Sequence, residues 1–230
     1  MTERFAIYFA PGRDTRLWEF GTSWLGRDPE TGNNIQQPAI ADVTAVDLES
    51  VTRSPRRYGF HATLKPPFTL ADGTSQDRLD EALTRFARDR IPFDAPPLRF
   101  GLLDGFLALV PSAPAPALSE LAAACVQTFE PFRAPLSREA ITRRRHDALT
   151  ARQDANLLEW GYPYVMEDFR FHMTLTERLD AQTGSDLADA LNAQMRPLIE
   201  TPVAVDGIAL FHEPVSGGPF RLLRRYPFTP

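Results

Sequence analysis

The order of predicted secondary-structure elements occurs twice along the chain, and this duplication limits the possible folds more than any other feature. Each half is predicted to contain a buried strand ending at a proline, a helix, a long connection, a strand with the motif His-x-Thr, a second helix and a hairpin. The motif histidines, His61 and His172, are separated by about half of the 230 residues. An internal duplication of an α+β unit is the economical explanation, and a chance similarity of two α+β halves is the alternative.

The two motif strands are predicted in the segments RYGFHATLK and FRFHMTLT. Side chains alternate between the two faces of a strand, so each segment has one apolar face and one polar face. The side chains predicted on the polar faces are His61, Thr63 and Lys65 in the first strand and Arg170, His172 and Thr174 in the second. Each polar face therefore combines an imidazole, a hydroxyl and a cation.

This combination of side chains suits the handling of a phosphate. An imidazole with a pKa of about 6.5 can take or give a proton near neutral pH. A hydroxyl can donate to a nonbridging phosphate oxygen, and a cation offsets the phosphate charge. One His-x-Thr alone is more often structural, but two copies among four histidines favour function. We therefore predict His61 and His172 as the catalytic acid and base, in an order that the sequence leaves open, and the phosphate-binding residues Thr63, Thr174, Lys65 and Arg170.

Lys65 is the only lysine among 25 basic residues. Alternation places it beside His61 and Thr63, and a flexible ammonium there could reach a shared anion. The alternative is a solvated lysine at the end of the strand, next to Pro66.

The remaining candidate ligands do not suggest a metal or a cofactor. His146 is interpreted as a solvated helix residue and His212 as a surface residue near a strand end. Cys125 is the only cysteine, which excludes an internal disulfide. It lies in a helical pattern and is predicted to be a buried small residue. Because no close cluster has ligand spacing, we expect no bound metal.

Charge and hydropathy limit the partners. The net charge of -5 argues against binding nucleic acid along the whole chain, although arginine clusters at 53–57 and 143–145 leave RNA open as a less favoured partner. The N-terminal apolar run is too short for a signal peptide or a membrane span, so we expect a soluble, cytoplasmic protein. A small phosphorylated substrate is the expected partner, and the oligomeric state is left open.

The motifs His61-Ala62-Thr63-Leu64 and His172-Met173-Thr174-Leu175 resemble the signature of the two-histidine phosphoesterase superfamily. The resemblance extends over nearly the whole chain, and the flanking residues look most like the branch encoded beside bacterial phosphonate-degradation genes. It implies an α+β fold with two pseudo-symmetric lobes, each an antiparallel sheet with helices, around a central cleft. The lobes would comprise residues 1–103 and 104–230 of one bilobal domain, with strands exchanged between them in some arrangements.

The implied activity is a metal-independent hydrolysis of a small cyclic phosphate, such as a ribose cyclic phosphate or another phosphonate-pathway intermediate. Two alternatives stay open: a non-catalytic module that binds nucleotides or RNA ends, and an RNA end ligase. The long connection at 27–55 is not part of the common motif, so a substrate cannot be transferred from better-known relatives.

Overall fold

The computed structural model describes residues 3–39, 47–145 and 149–229. Within these residues the strands are β1 (Arg4–Phe9), β2 (Ala62–Phe68), β3 (Phe93–Ala95), β4 (Leu98–Leu103), β5 (Phe106–Pro111), β6 (Met173–Arg178), β7 (Val203–Val205), β8 (Gly207–Glu213) and β9 (Arg221–Pro227). The helices are α1 (Arg16–Leu25), α2 (Leu48–Val51), α3 (Arg53–Tyr58), α4 (Gln76–Arg88), α5 (Pro116–Thr128), α6 (Arg138–Arg144), α7 (Ala151–Trp160), α8 (Ala181–Gln194) and α9 (Arg196–Ile199). Single 3-10 turns occur at Glu130–Phe132 and Met166–Asp168.

Seven strands form one sheet in the order β4-β5-β6-β2-β1-β8-β9, and each neighbouring pair is antiparallel. Strands β3 and β7 form a separate antiparallel pair. The predicted α+β class with antiparallel sheets is therefore confirmed. The two motif strands, β2 and β6, are neighbours at the centre of the sheet.

Strands are exchanged between the two halves of the chain. The C-terminal hairpin β8–β9 pairs with β1, whereas the hairpin β4–β5 pairs with β6. The division between residues 103 and 104 falls in the β4–β5 turn, and as a domain boundary it stays a prediction. Asp104 and Gly105 form this turn with φ of 47° and 89°, which confirms the predicted two-residue hairpin.

The main apolar core lies between one face of the sheet and four helices, α1, α4, α5 and α8. These helices contribute the buried side chains Trp24, Leu83, Leu121 and Leu191. Trp24 also donates its indole N–H to the backbone oxygen of Leu175 at 2.9 Å, which joins α1 to β6. The opposite face carries a smaller apolar cluster around Tyr8 and Phe211. Much of that face is therefore left for polar side chains.

Both motif strands begin later than their sequence patterns predicted. Arg57 and Tyr58 belong to α3, and β2 begins at Ala62, because Gly59 has a φ of 81° that interrupts extended pairing. In the second half β6 begins at Met173. Both histidines therefore lie directly before a strand. In the part of the chain that the structure describes, no helix is long and apolar enough to cross a bilayer.

Candidate active site

His61 is held in a defined orientation by its own backbone. Its Nδ1 lies 2.8 Å from the carbonyl oxygen of Gly59. A carbonyl oxygen can only accept, so Nδ1 carries the proton and Nε2 is the basic atom of the neutral ring. Gly59 is required at this point, since a Cβ added there would lie 2.7 Å from Cβ of Pro29. The ring of Tyr8 stacks on the imidazole, with centroids 3.7 Å apart and planes 20° apart.

His172 repeats the same anchoring in the second half. Its Nδ1 lies 2.8 Å from the carbonyl oxygen of Arg170, again two residues earlier in the chain. The ring centroid of Phe106 lies 5.6 Å from that of His172. Nε2 is therefore the basic atom of this ring as well.

The register between β2 and β6 brings the two motifs together. Ala62 pairs with Met173, and both side chains are buried in the core. One residue further along this antiparallel register, His61 lies opposite Thr174 and His172 lies opposite Thr63. Directly opposed Cβ atoms are about 4.5–5.5 Å apart, so the four polar side chains form one compact group on the face away from Ala62 and Met173. Thr63 Oγ1 lies 3.2 Å from Nε2 of His61.

Burial lowers the pKa of both histidines. The pKa of His61 falls from 6.5 to about 4, because burial disfavours the imidazolium; the Gly59 carbonyl partly opposes this effect, and the charge of His172 adds to it. Burial also lowers the pKa of His172, and there the Arg170 carbonyl and the charge of Asp104 oppose the shift. Both rings are therefore neutral near pH 7 in the free protein.

Three of these four side chains, those of His61, Thr63 and Thr174, line a cleft of about 740 Å³, and the register of β2 and β6 places His172 beside them. We use "the cleft" for the space lined by His61, Thr63, Thr174, Thr176, Tyr8, Tyr58, Tyr162, Phe106, Arg4, Arg144 and Arg178, with Ser54, Pro55, Gly59, Pro66, Pro67 and Glu177. Its volume lies in the range of roughly 300–1,000 Å³ that is typical of small-molecule sites. Aromatic rings and arginines dominate the lining, which suits a small anionic compound with an apolar or ring-shaped part.

Lys65 does not lie on the face of His61, and the predicted phosphate contact of this residue is wrong. Its side chain is 1% exposed, and Nζ donates to the Glu130 carboxylate at 2.9 Å and to the Val126 carbonyl at 3.1 Å. The cause is a register shift: Tyr8 pairs with Thr63, but Ile7 pairs with Lys65. The extra residue in β2 is a β-bulge, which ends the simple alternation on which the prediction depended.

Arg170 lies before β6 rather than on its polar face. Its side chain is exposed, and its charge adds to the effect of Arg152, whose hydrogen bond is the main cause of the lowered pKa of Asp168. The carbonyl oxygen of Arg170, by contrast, orients His172. A phosphate contact of the guanidinium stays a prediction.

Sequence reasoning missed several residues of the cleft, including Arg4, Tyr58, Arg144 and Tyr162. Arg4 and Tyr8 have the same parity along β1, so strand alternation could have linked them to one face. For Arg144 the signal was the run of three arginines. Arg145 is paired with Asp154 at 2.6 Å, whereas Arg144 reaches the cleft.

The other candidate ligands lie apart from this group. His212 is stacked on Phe5, and its Nε2 lies 2.8 Å from the Glu3 carboxylate. Cys125 is buried as predicted, and burial raises the pKa of its thiol to about 12. His146 lies outside the described residues. Among residues 3–39, 47–145 and 149–229, no three His, Cys, Asp or Glu side chains are grouped so that they could hold a metal ion.

The fold and the cleft define a class: an α+β protein in which two His-x-Thr strands adjoin in one antiparallel sheet. Similar solved structures include E. coli LigT complexed with 3'-AMP, with 15% identity and a TM-score of 0.47 over 100% of both chains. Another is a phosphoesterase with 13% identity and a TM-score of 0.43, again over 100% of both chains. The second of these neighbours carries the name phosphoesterase, the class that the two motifs resemble.

The chain belongs to the family described as "Protein of unknown function (DUF1045)", whose model matches residues 63–221. Two relatives, each named "Ribose 1,5-bisphosphate phosphokinase PhnN", are 37% identical to this chain. The first, from Janthinobacterium sp. (strain Marseille), matches over 98% of this chain and 51% of its own length. The second, from Laribacter hongkongensis (strain HLHK9), matches over 96% and 51%. The chain therefore spans about half the length of these curated relatives.

Proposed function

We propose that this protein is a metal-independent phosphodiesterase that hydrolyses a small cyclic phosphate by acid–base catalysis from His61 and His172. One observation carries the proposal. Two imidazoles, each directly before one of two neighbouring strands, are held through Nδ1 by a backbone carbonyl two residues earlier, so that Nε2 of each ring is free for proton transfer. Paired groups that can accept and donate protons are what cleavage of a phosphodiester needs.

The surroundings of the two rings suggest which histidine has which role. His61 is partly buried and stacked on Tyr8, and its ring is neutral, so its Nε2 is the base that removes a proton from the attacking water. Burial lowers the pKa of His172 as well, but the charge of Asp104 opposes this shift, so we assign His172 as the acid, which acts in the fraction of the protein whose Nε2 has taken a proton from solvent. The water oxygen bonds to phosphorus as the ring P–O bond breaks, and His172 gives its proton to the leaving oxygen. The product is a phosphate monoester.

Thr63 and Thr174 line the cleft on either side of this reaction. Their hydroxyls can donate to the nonbridging oxygens, where negative charge builds as the attacking oxygen approaches. In the free protein Nδ1 of His61 is already a donor to Gly59, so the Thr63 hydroxyl donates to Nε2. Substrate would exchange this contact for one to phosphate and release Nε2 for the water.

A phosphorylated ribose is the proposed substrate class. The relatives carry ribose bisphosphate in their names, but this chain matches only 51% of their length. Its only lysine, Lys65, follows Leu64, so the sequence lacks the Gly-Lys-Ser/Thr ending of a P-loop. This chain therefore lacks a P-loop that could support the kinase activity stated in those names. A ribose cyclic phosphate fits both the ribose of the names and the paired histidines.

The test is turnover of a panel of cyclic phosphates, including a ribose cyclic phosphate and nucleoside 2′,3′-cyclic phosphates, with and without excess EDTA. We expect hydrolysis that persists in EDTA, because the histidines carry the protons. Loss of activity on chelation, restored by Zn²⁺ or Mn²⁺, would reject the mechanism in favour of a metallohydrolase. Tight binding of the panel without turnover would favour the binding module, and joining of RNA ends would favour a ligase.

A further inference from the structure

We infer that the cleft contains a second anion-binding subsite, formed by Arg4 and Arg144, which takes a phosphate monoester on the same substrate as the cyclic phosphate. The inference rests on the proposed function, which it deepens: the substrate would be a sugar cyclic phosphate that carries an additional phosphate group. Both arginines line the same cleft as His61, and they come from distant parts of the chain, β1 and the end of α6.

Arg4 is held in place by a fully buried carboxylate. Its Nε donates to Glu213, whose side chain is 0% exposed, and Arg57 donates to the other oxygen of the same carboxylate at 3.2 Å. One buried negative charge thus lies between two guanidinium groups, which leaves this cluster with a net positive charge. Because Nε makes the contact to Glu213, the terminal amino groups of Arg4 are left for other partners. The side chain is 27% exposed, so an anion in the cleft can reach it.

Arg144 supplies a second positive charge. No carboxylate pairs with it within the described residues, whereas its neighbour Arg145 is paired with Asp154. The pKa of Arg144 is lowered, first by burial and then by other cations that include Arg143 and Arg4. Arg4 and Arg144 therefore act on one another electrostatically while they line the same cleft. Two partly buried like charges are unfavourable unless an anion binds beside them.

The charge of the lining matches a dianion. The cleft is lined by three arginines, Arg4, Arg144 and Arg178, against one carboxylate, Glu177, which accepts from the Ser54 N–H at 2.9 Å. A phosphate monoester carries about −1.5 to −2 near pH 7, whereas a carboxylate carries one charge. Guanidinium groups also match the oxygens of phosphate in bidentate geometry.

This subsite is distinct from the reaction centre. Arg4 lies four residues before Tyr8 on β1, about 13 Å along the strand, and Tyr8 is the residue that stacks on His61. An anion between the two arginines would therefore serve to bind and orient the substrate, while the cyclic phosphate occupies the group of histidines and threonines.

The experiment compares two probes that differ in one group: adenosine 2′,3′-cyclic phosphate with and without a 5′-phosphate. We expect the 5′-phosphate to raise kcat/KM by ~10-fold or more, the size of one charge-assisted hydrogen bond. Arg144→Gln should remove most of this gain, so that kcat/KM of the two probes differs by less than about 2-fold in this variant. Arg143→Gln removes the same charge from an exposed neighbour on the same helix, and this control should leave the gain intact.

Arg4→Met is the second variant, checked for folding by its Tm because Arg4 pairs with a buried carboxylate.

Equal kcat/KM for the two probes in the wild type, or an unchanged gain in Arg144→Gln, would overturn the subsite and leave the proposed hydrolysis standing. If neither probe is turned over, the proposed function fails, and calorimetric binding of ribose 5-phosphate to wild type and Arg144→Gln still decides the subsite. A clear preference for an oligoribonucleotide with a cyclic phosphate end would also contradict it.

Discussion

The surroundings of His61 and His172 differ although the two motifs share one geometry. Each ring is anchored through Nδ1 to a carbonyl at 2.8 Å, and each lies directly before a central strand. His61, however, is stacked on Tyr8 in the smaller apolar cluster, and its pKa falls to about 4. His172 lies beside the β4–β5 turn, where the charge of Asp104 partly opposes the effect of burial.

The proposed division of labour between the two histidines rests on this difference in their surroundings. The backbone supplies the same orientation to both rings, and the neighbouring side chains set the free energy of protonating each one. An apolar, stacked ring is suited to remain neutral and accept a proton, whereas a ring near a carboxylate is suited to donate one. The predictions below test this division of labour.

The largest expected effects come from the histidines themselves. His61→Ala and His172→Ala should each lower kcat for a cyclic phosphate by at least ~100-fold, with little loss of folding. The two variants should then separate on a p-nitrophenyl phosphodiester, whose leaving group needs no acid. We expect His172→Ala to recover much of its activity on this substrate and His61→Ala to remain impaired. The measurement is kcat on both substrates.

The opposite pattern, in which only His61→Ala recovers activity, would show that His61 is the acid and His172 the base. Equal recovery of both variants, or near-normal turnover by either on the cyclic phosphate, would refute the division of labour.

A smaller effect is expected from the threonines. Thr63→Val and Thr174→Val retain the size of the side chain but remove the donor to a nonbridging oxygen. We expect each to lower kcat by ~10-fold or more, since hydrogen bonds to a developing charge are stronger in the transition state. Thr84→Val, on α4 and away from the cleft, is the matched control and should change kcat by less than about 2-fold.

The pH dependence of kcat/KM tests the pKa values of the free protein. With His61 as base, the acid limb should lie near its pKa of about 4. With His172 as acid, the alkaline limb should lie below 6.5, because its pKa is lowered from that value. Asp104→Asn removes a charge that raises the pKa of His172, so the alkaline limb should move to lower pH. An unchanged alkaline limb in this variant would show that Asp104 does not act on the catalytic acid.

The smallest effect on activity is expected at Lys65. Its ammonium is buried with Glu130, so Lys65→Met should leave kcat/KM within about 2-fold while it lowers the free energy of unfolding by about 1–3 kcal/mol. Arg85→Met removes an exposed pair with Glu81 and should cost less than about 1 kcal/mol. Denaturant titrations measure the free energy of unfolding of both variants. A loss of activity in a stable Lys65→Met protein would show that Lys65 contributes to the reaction.

The sequence was sufficient for the features that depend on local patterns. The α+β class was predicted from helical periodicity and from the prolines that end strands. The β4–β5 hairpin was predicted from the Asp104-Gly105 turn. The paired motifs predicted that His61 and His172 act together. The closeness of His61 and His172 agrees with this second prediction. Their catalytic roles remain to be tested.

The errors arose where tertiary context overrides a pattern. Alternation placed Lys65 beside His61, but a bulge against β1 turns its side chain into the core, where Glu130 from a distant turn is its partner. Similarly, Arg4 and Arg144 reach one cleft only because β1 and α6 are brought together by the fold. Such long-range contacts are not encoded in the spacing of any one segment.

The pairing of Ala62 with Met173 has a mechanical consequence. This backbone bridge joins the strands that follow the two histidines, so it fixes the distance between the two imidazoles. A change of one residue in its register would turn one histidine toward the core and separate the pair. The separation of the two imidazoles therefore depends on strand alignment rather than on any side chain of the cleft.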